Sequence, residues 1–140
     1  MHWPTRWIAY TLQLLLALLF AFSATMKLTG GMDDVRELMG VAPWFWTLAG
    51  LWQALGAVAL VAGLRSAQLA VAGVLWLAAV MAGAVVTHIV SGQTGPDMIS
   101  PIALLALLLI VARLRWHDAQ IGNLIGRSTR QSARPQAAAR

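Results

Sequence analysis

Few side chains in this sequence could bind a polar ligand or move a proton, and most of them interrupt long apolar stretches. Lysine and glutamine can donate hydrogen bonds to a carbonyl oxygen, and histidine is the residue type that exchanges a proton near neutral pH. Polar groups at such positions are costly, so each is a candidate for function. The set consists of Gln13, Ser23, Thr25, Lys27, Gln53, Thr87, His88 and Ser100.

A purely structural role stays open for each of these residues. Lys27 ends an apolar stretch, where a lysine side chain commonly reaches lipid headgroups. Gln53 could join two helices, and His88 could pair locally at a helix end. No serine-nucleophile motif, phosphate loop or dinucleotide turn accompanies them, so no catalytic residue is assigned. The apolar stretches contain one histidine, His88, and no cysteine, and the carboxylates all lie outside these stretches, which predicts no metal site.

The elements that position these residues are transmembrane helices. The chain has 140 residues, of which 59% are hydrophobic and 11% charged, with a mean hydropathy of +0.71. A helix needs about 20 apolar residues to cross a bilayer core about 30 Å thick. Apolar residues fill successive positions rather than alternating, unlike the strands of a membrane barrel. The sequence predicts an all-α bundle of four transmembrane helices, at about residues 7–28, 44–64, 67–90 and 98–114.

Basic residues border these helices unevenly. Only Lys27 and Arg36 fall on one side of the predicted spans, whereas eight arginines fall on the other. Because such residues concentrate on the cytoplasmic side, we expect both the N- and C-termini to be cytoplasmic. Charge that flanks apolar spans does not form a nucleic-acid-binding face, so no nucleic-acid partner is expected. The eight are Arg6, Arg65, Arg113, Arg115, Arg127, Arg130, Arg134 and Arg140.

Two segments lie outside the four spans. Residues 29–42 contain Asp33, which could cap a short external helix lying at the membrane interface; an irregular loop is the alternative. Residues 115–140, rich in Arg, Ala, Gln and Ser, are predicted to form a disordered basic cytoplasmic tail after a membrane domain of residues 1–114. We expect the tail to bind anionic lipid, with docking of a partner as the alternative.

The first span has a competing interpretation as a cleaved signal peptide. Arg6 precedes it, and Ala21 and Ser23 could form a cleavage site. The apolar run continues through Met26 and ends in a polar motif, so we expect this segment to be a retained helix.

The predicted topology brings the polar residues to one half of the bundle. Lys27 and His88 end outward-running helices, Ser100 begins the fourth helix, and Gln53 lies about nine residues inside the second. They could frame a polar pocket open to the external side. Interfacial tryptophans include Trp44 and Trp46, and Ala79, Gly83 and Thr87 give the third helix a small-residue ridge for close helix packing. Asp33, Asp34, Glu37 and Asp97 lie just beyond the pocket.

Three segments in this order resemble the DoxX-like family of small four-helix membrane proteins. They are AFSATMKLTG at residues 21–30, LWQALG at 51–56 and AVVTH at 84–88, and the resemblance covers about residues 5–115. The family commonly has Glu in the second helix where this chain has Gln53. That difference removes a Lys–Glu ion pair and a group that could transfer a proton.

The resemblance implies a multi-pass protein of a bacterial cytoplasmic membrane that works with an oxidoreductase. Members resemble a subunit of a thiosulfate:quinone oxidoreductase, so a bound quinone is implied, with a redox partner that supplies the redox centre. Lys27 and Gln53 would then hydrogen-bond a quinone carbonyl, His88 would exchange protons, and Trp52 and Trp76 would wall the ring, with Ser100 completing the pocket. The alternative is an assembly or small-lipid-binding protein that packs against client helices. Transport is disfavoured, because no broken helix or repeat is found.

Overall fold

The computed structural model describes residues 3–93 and 95–137. Within these residues five helices follow one another: α1 (Trp3–Leu28), α2 (Asp33–Leu38), α3 (Pro43–Ala62), α4 (Ala67–Val90) and α5 (Pro96–Ala137). Four segments of this described part are long and apolar enough to cross a membrane, namely Trp7–Leu28, Pro43–Ala62, Ala67–Val90 and Met98–Trp116. The predicted all-α bundle of four spans is therefore confirmed.

The long helices pack in chain order. The extensive interfaces are those of α1 with α3, α3 with α4 and α4 with α5, while α1 and α5 share a smaller interface than these three pairs. Short connections make successive helices antiparallel. One end of the bundle, called here the α2 end, carries α2 and the α4–α5 connection; the opposite end carries the α3–α4 turn. Because successive long helices are antiparallel, α1 begins at the end opposite the α2 end, and the fourth span also finishes there. The assignment of that end to the cytoplasm stays a prediction.

An apolar core runs along the bundle axis. Phe20, Leu60, Leu77 and Leu108, one from each long helix, are fully buried. Large apolar side chains on the outer faces are exposed, among them Leu18, Leu55, Val86 and Ile102. In water such exposed faces would be unfavourable, whereas hydrocarbon solvates them.

The structure corrects the predicted packing of the third span, which is α4, through its small residues. Gly83 is exposed, and a Cβ atom there would meet nothing within 4 Å. The ridge of Ala79 and Gly83 therefore does not pack inside the chain. α3 and α4 instead approach at Gly63, where a Cβ atom would lie 2.5 Å from Cα of Ala70.

The short helix between the first two spans is confirmed, but its predicted cap is wrong. The N-cap is Met32, which makes no side-chain capping bond, and Asp33 is the first helical residue. Asp33 Oδ1 lies 3.5 Å from Nε of Arg36. Because its carboxylate pairs with this guanidinium one turn later, it does not cap the amides. The α2 segment is tied to α4 by Ser91, whose hydroxyl donates to the carbonyl of Met39 at 2.9 Å.

The structure has a helix where the sequence predicted a disordered tail. α5 continues as one helix from the fourth span to Ala137. Arg, Ala, Gln and Leu are good helix formers, and the membrane span supplies the helical nucleus that an isolated segment would lack. The side chains of residues 121–140 lie outside the described set, so the role of this basic segment on anionic lipid stays a prediction.

Candidate functional site

A polar cluster lies between α1 and α3 at the α2 end. Lys27 Nζ donates to Ser23 Oγ at 2.9 Å, one turn earlier on α1. Ser23 Oγ in turn donates to Oε1 of Gln53 on α3, at 3.2 Å. The lysine ammonium also lies 5.0 Å from the ring centroid of Trp46, an arrangement that favours cation–π attraction. These four residues are called here the Lys27 cluster.

Helical spacing explains why α3 supplies two members of the cluster. Trp46, Gly50 and Gln53 are separated by four and then three residues, so they share one face of the helix. Gly50 lets the backbones approach, because a Cβ atom there would lie 3.2 Å from Cβ of Lys27. Gln53 is 4% exposed and Trp46 is 8% exposed. The cluster therefore sits inside the membrane-spanning bundle rather than in a loop.

Two hydrogen-bond donors of the cluster lack the partner expected inside a membrane. The indole Nε1 of Trp46 is buried and has no hydrogen-bond partner. Lys27 has no carboxylate within ion-pairing distance among the described side chains, where the ion pairs found join Arg36 to Asp33 and Glu37. Buried donors are normally satisfied, and a group left unpaired points to a ligand, an ion or a strained site.

The structure brings together only two of the five predicted site residues, Lys27 and Gln53, through Ser23. His88 Nδ1 lies 3.1 Å from Oε1 of Gln93, at the end of α4. Trp52 is 42% exposed, and its carbonyl accepts from Nε1 of Trp76 at 3.0 Å.

The remaining predicted residues lie outside the Lys27 cluster. The rings of Trp52 and Trp76 form an edge-to-face pair, with centroids 6.1 Å apart, on the outer surface of α3 and α4. Ser100 is exposed near the start of α5, and the side chain of Asp97 lies outside the described residues. None of the described hydrogen bonds joins His88, Trp52 or Ser100 to Lys27. Whether these three residues contact a ligand stays a prediction.

Trp46 is the residue that the sequence interpretation misplaced. Its position near a span end predicted an interfacial side chain, as is observed for Trp44, which is 70% exposed. Trp46 is buried because it lies on the same α3 face as Gly50 and Gln53. The spacing in the sequence could have shown this. A residue four positions before Gly50 and seven before Gln53 lies on the same face of the helix and packs against the same neighbouring helix.

A second polar cluster occupies the opposite end of the bundle and has a structural role. Gln13, which is 0% exposed, donates from Nε2 to the carbonyl of Leu60 at 2.7 Å. Arg115, 2% exposed, donates from Nη2 to the carbonyl of Gly63 at 2.7 Å, and its guanidinium lies 4.5 Å from the ring centroid of Tyr10. Carbonyls at a helix C-terminus lack partners in their own helix. Side chains from α1 and α5 therefore cap α3.

Fold and site together define a small multi-pass membrane protein with a polar cluster at the α2 end of its bundle, in which the indole Nε1 of Trp46 has no hydrogen-bond partner. The sequence matches the DoxX-like family over residues 11–111. The chain belongs to the DoxX-like family, which confirms the resemblance seen in its motifs. No curated protein and no solved structure matches the sequence.

Proposed function

We propose that this DoxX-like membrane protein is a quinone-facing accessory subunit of a membrane oxidoreductase system, located in a bacterial cytoplasmic membrane. The family supports a membrane role, and the oxidoreductase role comes from the resemblance. A partner polypeptide supplies the redox centre, since the chain has no cysteine for a dithiol relay. The chain binds and orients the quinone headgroup.

The single observation that carries the proposal is the proximity of two incompletely paired donors. Lys27 Nζ and the ring of Trp46 are neighbours, and the indole Nε1 of Trp46 has no acceptor. A quinone carbonyl is an acceptor of the right polarity, carried on an apolar molecule that reaches such a site from the bilayer. Donors held in a low-dielectric site bind an acceptor more strongly than donors in water do.

A second candidate function is assembly of other membrane proteins. The observation that favours it is the exposed surface around Ala79 and Gly83, which none of the described residues covers. Small residues on an outer helix face allow another helix to approach closely.

One purification distinguishes these functions. The protein is purified in mild detergent, and bound lipids, quinones and proteins are identified by mass spectrometry. Near-stoichiometric quinone in the natural chain and in Arg65→Met, lost in both Lys27→Met and Trp46→Phe, supports the quinone function. Arg65→Met is the matched control, because it removes an exposed cation from the opposite end.

The other outcomes of this purification either support the assembly function or overturn the quinone proposal. A membrane protein that copurifies without quinone, and that is lost on Gly83→Leu, supports assembly. Absence of quinone from all samples, together with failure to bind added quinone, overturns the quinone proposal.

A further inference from the structure

The segment between α1 and α3 lies at the mouth of the Lys27 cluster. It follows Leu28, the last residue of α1, and leads to Pro43, the first residue of α3. Lys27 immediately precedes Leu28, and Trp46 lies in the first turn of α3. Both residues are therefore within one turn of the points where the segment begins and ends. Residues 30–41 of this segment are called here the strap.

The strap is held in shape by its own contacts. The amide of Val41 donates to the carbonyl of Arg36 at 3.1 Å, across the turn that ends α2. The guanidinium of Arg36 lies 3.5 Å from the carboxylate of Asp33 and 3.1 Å from that of Glu37. Because these contacts join residues of the strap to one another, the strap can move as a unit without breaking them.

The strap is fastened to the bundle at Met39, between its two ends. α2 has no buried residue, and it takes part in none of the larger interfaces between helices. Met39, the residue after α2, is buried, and its carbonyl accepts a hydrogen bond from Oγ of Ser91 at 2.9 Å. Among the described hydrogen bonds, this is the one that joins the strap to another part of the chain. Since Ser91 follows α4, the strap extends from α1 and α3 across to α4.

A glycine with a left-handed backbone lies at each end of the strap. The φ angle is +80° at Gly30 and +62° at Gly40, a region that other residues rarely adopt. A Cβ atom at Gly40 would meet nothing within 4 Å, so no neighbouring side chain holds this turn in place. Hinges consist of a few such residues at the ends of a moving element, where changes in φ and ψ are absorbed.

We propose that the strap closes the α2 end over the Lys27 cluster, and that breaking the hydrogen bond between Ser91 and Met39 opens this end to molecules at the membrane surface. In the closed form Gln53 and Trp46 are buried. In the open form a polar headgroup reaches them past the end of α1. This inference concerns the route to the cluster, and it holds whether or not the ligand is a quinone.

A single introduced cysteine measures the opening, because the natural sequence has none. Gln53→Cys places a thiol at a buried position of the cluster. The full chain is reconstituted in nanodiscs, and the thiol is modified with a water-soluble, positively charged methanethiosulfonate. When opening is fast relative to modification, the rate follows the population of the open form. Adding Ser91→Ala to this background should raise the rate about threefold to tenfold, the factor that one hydrogen bond contributes to such an equilibrium.

Two matched variants control for the loss of a hydroxyl on α4. Ser91→Thr keeps a hydroxyl and should keep the slow rate. Thr87→Val, one turn earlier, removes a hydroxyl that bonds only to the carbonyl of Gly83 in the same helix, and it should also leave the rate unchanged. Hydrogen exchange of Ser91→Ala without the reporter cysteine gives a second measurement. Exchange should accelerate in residues 30–41 and stay unchanged in residues 67–80.

Each contrary outcome overturns a stated part of the proposal. Equal modification rates with and without Ser91→Ala, together with unchanged exchange in the strap, overturn the role of the Ser91–Met39 hydrogen bond. A thiol at Gln53→Cys that reacts as fast as one at the exposed Asp34→Cys shows that the α2 end is already open, and it overturns the closure. Faster exchange throughout α4 in Ser91→Ala would show general loosening of the bundle, and it overturns the movement of the strap as a unit. None of these measurements involves a quinone, so failure of this inference is distinguishable from failure of the proposed function.

Discussion

Arg115 of α5 donates from Nη2 to the carbonyl of Gly63, the residue that follows α3, across 2.7 Å. Removing the guanidinium in Arg115→Met leaves this carbonyl without its side-chain donor in a buried position. We expect the free energy of unfolding to fall by about 1–3 kcal/mol. Thermal unfolding in detergent measures the loss. Arg113→Met is the control, since Arg113 is exposed, and it should change stability by less than about 0.5 kcal/mol.

Gln13 caps the same helix end from the other side. Its Nε2 donates to Leu60, one turn before Gly63 on α3. Gln13→Met keeps a similar shape but removes the donor, and we expect a loss of about 1–3 kcal/mol. Because both caps support one helix end, the double variant with Arg115→Met should depart from additivity by about 0.5 kcal/mol or more. Strict additivity in the thermal unfolding cycle would mean that the two caps act independently.

Gly63 is tightly packed and Gly83 is not, so we expect alanine substitution at the two positions to have different effects on stability. Gly63→Ala places a methyl group 2.5 Å from Cα of Ala70, where only backbone movement can relieve the clash. We expect a loss of about 1–3 kcal/mol. Gly83→Ala meets nothing within 4 Å and gains helix propensity, so it should be neutral or stabilising by up to about 1 kcal/mol. Thermal unfolding of both variants in one detergent makes the comparison, and equal losses would contradict the packing.

The spans were predictable from sequence because hydropathy and length are local properties. The proximity of Lys27 and Gln53 was also predictable, because helical periodicity places each on an inward-facing stripe and antiparallel packing brings the stripes together. The roles of Trp46 and Arg115 were less accessible. Tryptophan and arginine near span ends are commonly interfacial, and their burial depends on how α3 meets α1 and α5. The cap of α2 was missed because an ion pair with Arg36 competes for Asp33.

The direction of the chain across the membrane is a prediction that labelling can test. The natural sequence has no cysteine, so single cysteines can be introduced without background. We expect Asp34→Cys, on α2, to react with a membrane-impermeant maleimide added outside intact cells. Gln120→Cys, beyond the fourth span, should react only after the cells are opened. The reverse pattern would show that the termini are external, and that the charge asymmetry does not set the orientation.

The variant Lys27→Met distinguishes a role of Lys27 in ligand binding from a role in the stability of the fold. The half-buried ammonium lies within the bundle without a carboxylate partner among the described side chains, so replacing it by an apolar residue of similar size removes a desolvation cost and breaks no ion pair. We therefore expect the unfolding temperature of Lys27→Met to be unchanged or higher, while bound quinone is lost. Arg115→Met makes the same chemical change at the opposite end and should lower the unfolding temperature, because Arg115 caps a helix. If Lys27→Met destabilises the protein as much as Arg115→Met does, Lys27 is a packing residue and the loss of quinone reflects a damaged fold.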